Sequence, residues 1–430
     1  MKRVCVAGGL VLLLVTAAVG GQTIRKSGRY TIVEVEKSLS VEPNGSLRLS
    51  GPADVTVTGW SESQISIHEV IRLKRASRRK AEEVAREAEA DYEKRGNEVV
   101  ISTDHLPRRD ASARFEIRVP HQFNLDIDTQ GGDISAEALQ GNQQLRTSGG
   151  DVHVREIEGT LEANTSGGDI QAEDIQGRGR LKTAGGDISV ERASARLTVR
   201  TSGGDIKLRR VKGPVSAFTS GGDIRVLGSS DDLRLKTSGG DVRVEDATGQ
   251  VDAFTSGGDI QLLRCNGKVR AETSGGDIQL RRVGKARVST SGGDVEAEMV
   301  TGGIRTSTSG GDVRLTEIQG FIEAQTSGGD VVAELASKDC QTDHHVQIRS
   351  SGGDIRLSIP KDLPATIRAT IETRSGSIED FELRTDFKLE VTKRKRGGRG
   401  EIRAEGDING GGDLIELHTV EGDITIRALP

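Results

Sequence analysis

Residues 165–170 read TSGGDI, and the same word returns down the chain as TSGGDV, TAGGDI and SSGGDI. The Asp that follows the Gly pair falls at Asp133, Asp151, Asp169, Asp187, Asp205, Asp223, Asp241, Asp259 and Asp277, each step being 18 residues. Asp294 follows after 17, then Asp312, Asp330 and, after 24, Asp354, which makes thirteen copies. A fixed short period of this kind is the signature of a stacked repeat architecture.

Setting each Asp as position zero turns the repeat into columns. Position +1 is Ile or Val, as in Ile134, Val152, Ile170 and Ile188. Position +3 is Ala, Val or Leu in Ala172, Val190 and Leu208, and position +6 is aliphatic in Ile157, Ile175 and Val211. Positions +10 and +12 are apolar again, as in Leu161 and Ala163 or Leu233 and Leu235. Apolar residues two apart mark strands with one buried face. The intervening columns hold Arg, Lys, Glu, Gln and Ser, which suits solvent. Each period therefore holds two short strands and two turns.

Paired as hairpins, these strands would form an open meander of more than about twenty strands, a size open sheets rarely reach. A parallel β-solenoid, or β-helix, with about 18 residues per coil instead places each column directly over itself and explains the strict spacing. The columns do not follow the six-residue rhythm of left-handed hexapeptide solenoids, which points to a right-handed coil. Coils about 4.8 Å apart would make thirteen of them a rod on the order of 60 Å long. The repeated word is then a corner. The expected turn ladder comprises Gly149, Gly150 and Asp151; Gly167, Gly168 and Asp169; Gly203, Gly204 and Asp205; and Gly221, Gly222 and Asp223, with their copies. Gly offers backbone angles that other residues reach at a cost, while Thr, Ser and Asp bond to nearby backbone.

The chain has 430 residues, a formal net charge of −5 and only 2% aromatic residues. So few aromatics argue against a thick core and suit a thin solenoid core of small aliphatics. The weak net charge gives no case for nucleic acid. Lys2 and Arg3 precede an apolar run from Val4 to Val19, followed by Gly20 and Gly21, the layout of a secretory signal peptide. Export to the periplasm, cell envelope or exterior is expected. No later segment is apolar enough to span a membrane. Cys5 lies at the start of the apolar run instead of at its end, so the export signal does not resemble a lipoprotein's. Cys265 and Cys340 sit in inward columns four coils apart, about 19 Å by coil spacing, beyond disulfide reach. Both are expected to be buried, inert thiols.

Residues 22–130 lack the period. They alternate like strands, except for a charged stretch at 75–95 in which Ala81, Val84, Ala85, Ala88 and Tyr92 could form an apolar helical stripe. The organisation read from these signals is a signal peptide at 1–20 and an N-terminal β cap at 21–128 with a helical insertion at 75–95. The solenoid follows at 129–359, with degenerate final coils and a C-terminal cap at 360–430. Ser377 takes the Asp place in a degenerate turn, and residues 393–399 read as a basic loop.

Stacked carboxylates repel by on the order of 1–4 kcal/mol per neighbour. Hydrogen bonds from Ser, Thr and Gly N–H groups, with bases at +2 such as Lys207, Arg225 and Arg243, would relieve this. A row of Ca2+ is the sharper alternative, although one carboxylate per coil is sparser than in calcium-binding repeats. Column +4 mixes Arg155, Glu173, Glu191, Arg209, Glu245 and Arg281, which adjacent coils could pair. Asp343, His344 and His345, near Cys340 in the one clear insertion, are candidate metal ligands. No catalytic signature (Gly-x-Ser-x-Gly, His-Glu-x-x-His or P-loop) is present, so no catalytic residue and no cofactor is assigned.

The TSGGDI and TSGGDV repeats, the N-terminal β region with its charged insertion and the ending INGGGDLIELHTVEGDI resemble the bacterial "putative adhesin" family, a domain of unknown function built from β-strand repeats. The resemblance covers most of residues 30–427. It implies an adhesin-like secreted or envelope protein with no catalytic residues to carry over. The expected function is a non-enzymatic surface or scaffold protein that binds an envelope polymer, glycan or protein surface through its long β faces. The alternatives are a carbohydrate-active β-helix enzyme, lyase or hydrolase, and a self-assembling filament like the bactofilins.

Overall fold

Every repeat contributes two strands, and each pairs with its counterpart one coil away instead of with its own partner. The computed structural model describes residues 21–103, 106, 110–336, 343–374, 378–396 and 399–430. The chain divides into two compact units, residues 1–147 and 148–430. The signal peptide expected at 1–20, with Cys5, lies outside the described residues, as do Cys340 and Ser377.

In the second unit the leading strand of each coil follows the Asp, and the trailing strand precedes the next Thr. Leading strands stack in parallel and in register, Ile206 on Ile224 on Val242 on Ile260. Trailing strands do the same, Val215 on Leu233 on Val251 on Val269. This pairing is that of a β-solenoid and excludes the meander. Columns +1, +3, +6, +10 and +12 are buried in the 18-residue coils: Ile224, Val226, Leu233 and Leu235 of one coil are each at most 2% exposed. A fully buried aliphatic side chain contributes about 1.5–3 kcal/mol, so a thin core of Ile, Val, Leu and Ala holds each coil without aromatics.

Spatial order departs from chain order after Asp354. Val346–Ser350 and Ile355–Pro360 are followed in the stack by Asp413–Val420 and Ile424–Leu429, from the very end of the chain. Ala365–Thr373 and Leu383–Thr385 then stack on those. Arg399–Ile408 closes the trailing side by pairing antiparallel with Ala365–Thr373, and Glu390–Arg396 pairs with it in turn. Lys393–Arg396 thus belongs to a strand of an antiparallel hairpin instead of a basic loop. The hairpin covers an edge that a last coil would leave bare.

The first unit uses the same device. Gly45–Gly51 lies parallel between Glu98–Ser102 and Phe123–Thr129. Ala53–Trp60 lies parallel between Ala111–Pro120 and the start of Ile134–Thr147. Gln64–Lys74, Tyr30–Ser40 and Gly21–Ser27 extend the sheet in antiparallel fashion from Ala111–Pro120. The one α-helix among the described residues, Arg78–Ala90, starts where the Ser77 hydroxyl accepts the Lys80 N–H at 3.3 Å. Its buried residues Ala81, Val84, Ala85 and Ala88 recur at helical spacing and pack on Tyr30–Ser40. The helix is shorter than the 75–95 expected. Tyr92 is buried, but it belongs to Tyr92–Arg95, which turns at Gly96 (φ 62°) to pair with Glu98–Ser102.

Candidate functional site

Each corner is tied by two ladders of side chains. In a typical coil the buried Thr237 hydroxyl donates to the Gly222 carbonyl of the coil before at 2.9 Å and accepts the Gly240 N–H at 3.3 Å. One hydroxyl therefore closes its own turn and grips the neighbouring one. The Asp ladder runs beside it. Asp223 Oδ1 accepts the Asp241 N–H at 2.9 Å, and Asp241 Oδ1 accepts that of Asp259 at 2.8 Å. The same bond holds Asp169 to Asp151 and Asp205 to Asp187, each at 2.8 Å. The carboxylate partner is thus the next coil's Asp amide, not the Ser, Thr and Gly amides expected. The stacked carboxylates are offset because each is a charge-assisted acceptor.

The ladder also recruits residues outside the period. In the first unit Asp54 accepts the Asp133 N–H at 3.3 Å. In the second, Asp354 accepts from Asp423 at 2.9 Å, and Asp423 accepts from Glu382 at 2.8 Å. The EGDI spelling around Asp423 carried that signal, whereas Asp54 has no Gly pair before it.

The Gly pair serves closeness, not left-handed backbone. Gly168, Gly204 and Gly222 have no positive φ, but a Cβ on any of them would lie 2.0 Å from the carbonyl oxygen of the corner beneath. The first Gly of each pair is freer: a Cβ on Gly167, Gly203 or Gly221 would meet its nearest atom at 3.3–3.6 Å. The left-handed position is instead column +5, filled mostly by ordinary residues, including Arg192 (φ 60°), Arg210 (54°), Asp246 (60°) and Arg282 (55°).

Charges on the leading face are largely paired. Lys207 reaches Asp187 and Asp205 at 3.5 and 3.8 Å, and Arg225 reaches Asp223 at 3.0 Å. Arg243 turns instead to Glu245 at 2.7 Å. In column +4, Arg281 pairs with Glu298 of the next coil at 2.7 Å. Glu173 and Glu191 are taken by Arg192 of column +5, which also holds Asp174 at 2.6 Å. The hydrogen bond from Arg192 lowers the Asp174 pKa. Arg209 forms no ion pair among the described residues. An open groove of about 360 Å³ runs over Lys207, Arg209, Arg225 and the 40% exposed Leu227.

The candidate metal ligands are not brought together. His344 turns inward and is buried, its Nε2 without a hydrogen-bond partner, while His345 faces out. His345 Nδ1 lies 2.7 Å from Asp343 Oδ1, and its ring stacks on Phe321 at 5.2 Å. Among the described residues no group of three His, Cys, Asp or Glu is placed to hold a metal. Cys265 is a free buried thiol whose pKa burial pushes up to about 11.

The trailing face differs. Outward positions +11 and +13 carry Arg180, Lys182, Arg200, Arg234 and Lys236, with Phe218 and Phe254 among them. The Arg200 guanidinium lies over the Phe218 ring at 4.9 Å, and that of Arg270 over Phe254 at 5.2 Å. Further along, an open groove of about 290 Å³ is lined by Lys268, Lys285, Arg287 and Phe321. Sequence reasoning examined column +4 and passed over these. The same column reading applied at +11 and +13 would have found them.

A family model described as Toastrack DUF4097 matches residues 46–231, 180–305 and 283–427. No curated protein matches the chain. Among solved structures, a crystal structure described as "a putative cell adhesion protein from Clostridium sporogenes" is similar over 92% of this chain and 99% of that chain, with 10% identity. Its TM-score of 0.15 is too low for the likeness to carry any argument.

Proposed function

The chain belongs to the Toastrack DUF4097 family, and from that premise we propose that it is a non-enzymatic, adhesin-like scaffold of the cell envelope that holds partners on its long β faces. The observation that carries this reading is the division of labour within each coil. Thr, the second Gly and Asp are occupied by coil-to-coil bonds. The outward columns are free to vary, and the hollows on them are open grooves of about 180–360 Å³. Rigid flat faces built of repeats suit an extended partner. The charged, apolar, small-residue order of residues 1–21 supports export as part of the same proposal.

Co-sedimentation of the full chain with isolated cell envelopes, peptidoglycan and insoluble glycans tests it. Saturable binding to one of these materials is expected. Absence of binding to all of them would overturn the scaffold reading.

A further inference from the structure

The trailing face between Arg180 and Lys236 lies on strands Gly179–Lys182, Leu197–Arg200, Val215–Phe218 and Leu233–Lys236. Their outward residues are Arg180 and Lys182, Thr198 and Arg200, Ser216 and Phe218, then Arg234 and Lys236. Four coils in a row thus present five exposed cations and no carboxylate, in a chain of net charge −5. None of the five forms an ion pair among the described residues, whereas Lys207, Arg225, Arg264, Arg281 and Arg305 elsewhere in the stack all do. Register sets Lys182 directly opposite Arg200 on the adjacent coil, where like charges repel. Glu162 and Asp252 lie opposite Arg180 and Arg234 at the two ends of the row, but Lys182, Arg200 and Lys236 have no carboxylate opposite them on either adjacent coil.

We propose that this face docks an extended acidic polysaccharide, a chain of uronic acids with one carboxylate per sugar. The inference rests on the adhesin-like reading and names its partner. Cations stand on three of the four coils: Lys182 and Arg200 are one coil apart, about 4.8 Å, and Arg200 and Lys236 are two coils apart with Phe218 between them, spacings comparable to one and two sugars of an extended 1,4-linked chain. The guanidinium fork takes a carboxylate through two parallel hydrogen bonds. Phe218 holds the Arg200 guanidinium by cation–π contact, which orders the side chain before the ligand arrives. The same contact argues against single-stranded nucleic acid, which binds by stacking bases on aromatic faces. The Phe218 and Phe254 rings already carry Arg200 and Arg270.

The test measures binding of the full chain to polygalacturonate, to neutral dextran, to inorganic polyphosphate and to single-stranded and duplex DNA. A Lys182→Gln/Arg200→Gln/Lys236→Gln variant is compared with Lys207→Gln/Arg209→Gln/Arg243→Gln, which removes the same charge from the leading face. Melting temperatures confirm that both variants fold. Polygalacturonate is expected to bind the unaltered chain and dextran to be ignored. The trailing-face variant should lose affinity about a hundredfold, and the leading-face variant should change little. Equal loss in both variants would overturn the assignment of the face. Tighter binding of DNA or polyphosphate than of polygalacturonate would overturn the assignment of the ligand. Absence of polygalacturonate binding by a chain that still sediments with envelopes would remove this inference and leave the scaffold reading standing. Failure in both assays would remove both.

Discussion

A single Gly in each corner decides how closely two coils can approach. At Gly240 a Cβ would lie 2.1 Å from the Gly222 carbonyl oxygen, a backbone atom that cannot swing away. At Gly239 the nearest atom would be 3.5 Å away. Gly240→Ala is therefore expected to lower the melting temperature steeply, and Gly239→Ala to leave it within a degree or two. Equal effects in thermal unfolding would contradict this account of the corner. The Asp ladder makes a parallel prediction. Asp241→Asn keeps an oxygen for the Asp259 N–H and removes a like charge from the row, so stability should hold. Asp241→Ala leaves that amide without its acceptor and should cost about 1–3 kcal/mol in denaturant unfolding. The corner positions were legible because they recur every 18 residues. The reason for Gly was not, since a clash with the coil beneath is invisible in a linear string. The inward turn of His344 was foreshadowed only by the rule that adjacent strand residues face opposite ways.

At the scale of the strand, alternation told buried from exposed columns, and burial follows it from Val152 to Ile355. The kink at column +5 was hidden, because ordinary residues occupy it and only Gly228 advertises a left-handed backbone. A non-Gly residue there costs about 1–2 kcal/mol. Arg282, exposed and at φ 55°, is the place to recover part of that. Arg282→Gly is expected to raise the melting temperature, and a fall would show that the side chain has a packing role. Strand order near the C-terminus was equally hidden. Pairing across 69 residues, as between Asp354 and Asp423, leaves no local trace beyond the EGDI spelling. Deleting residues 413–430 should therefore do more than shorten the stack. It removes the strands that lie on Val346–Ser350 and Ile355–Pro360 and bares their edges, and aggregation measured by light scattering is the expected result. A monomeric, fully folded truncation would contradict the observed order.

At the scale of the whole molecule, a family match spanning residues 46–427 accompanies one structural rule, repetition of a corner that holds coils together and leaves the outward columns free. The architecture was legible from one hexapeptide and its spacing. The distinction between the faces was not, because it depends on which charges find partners. Leading-face cations turn toward carboxylates of their own or neighbouring coils, while the five cations of the trailing row from Arg180 to Lys236 form no ion pair among the described residues, and Lys182, Arg200 and Lys236 have no carboxylate opposite them. The central claim is that the coils are scaffold and that this face performs recognition. The most direct measurement is co-sedimentation of the full chain with isolated cell envelopes, beside the same chain carrying Lys182→Gln, Arg200→Gln and Lys236→Gln. The account predicts saturable binding by the first and its loss in the second at unchanged melting temperature. Equal binding by both, or binding by neither, would contradict it.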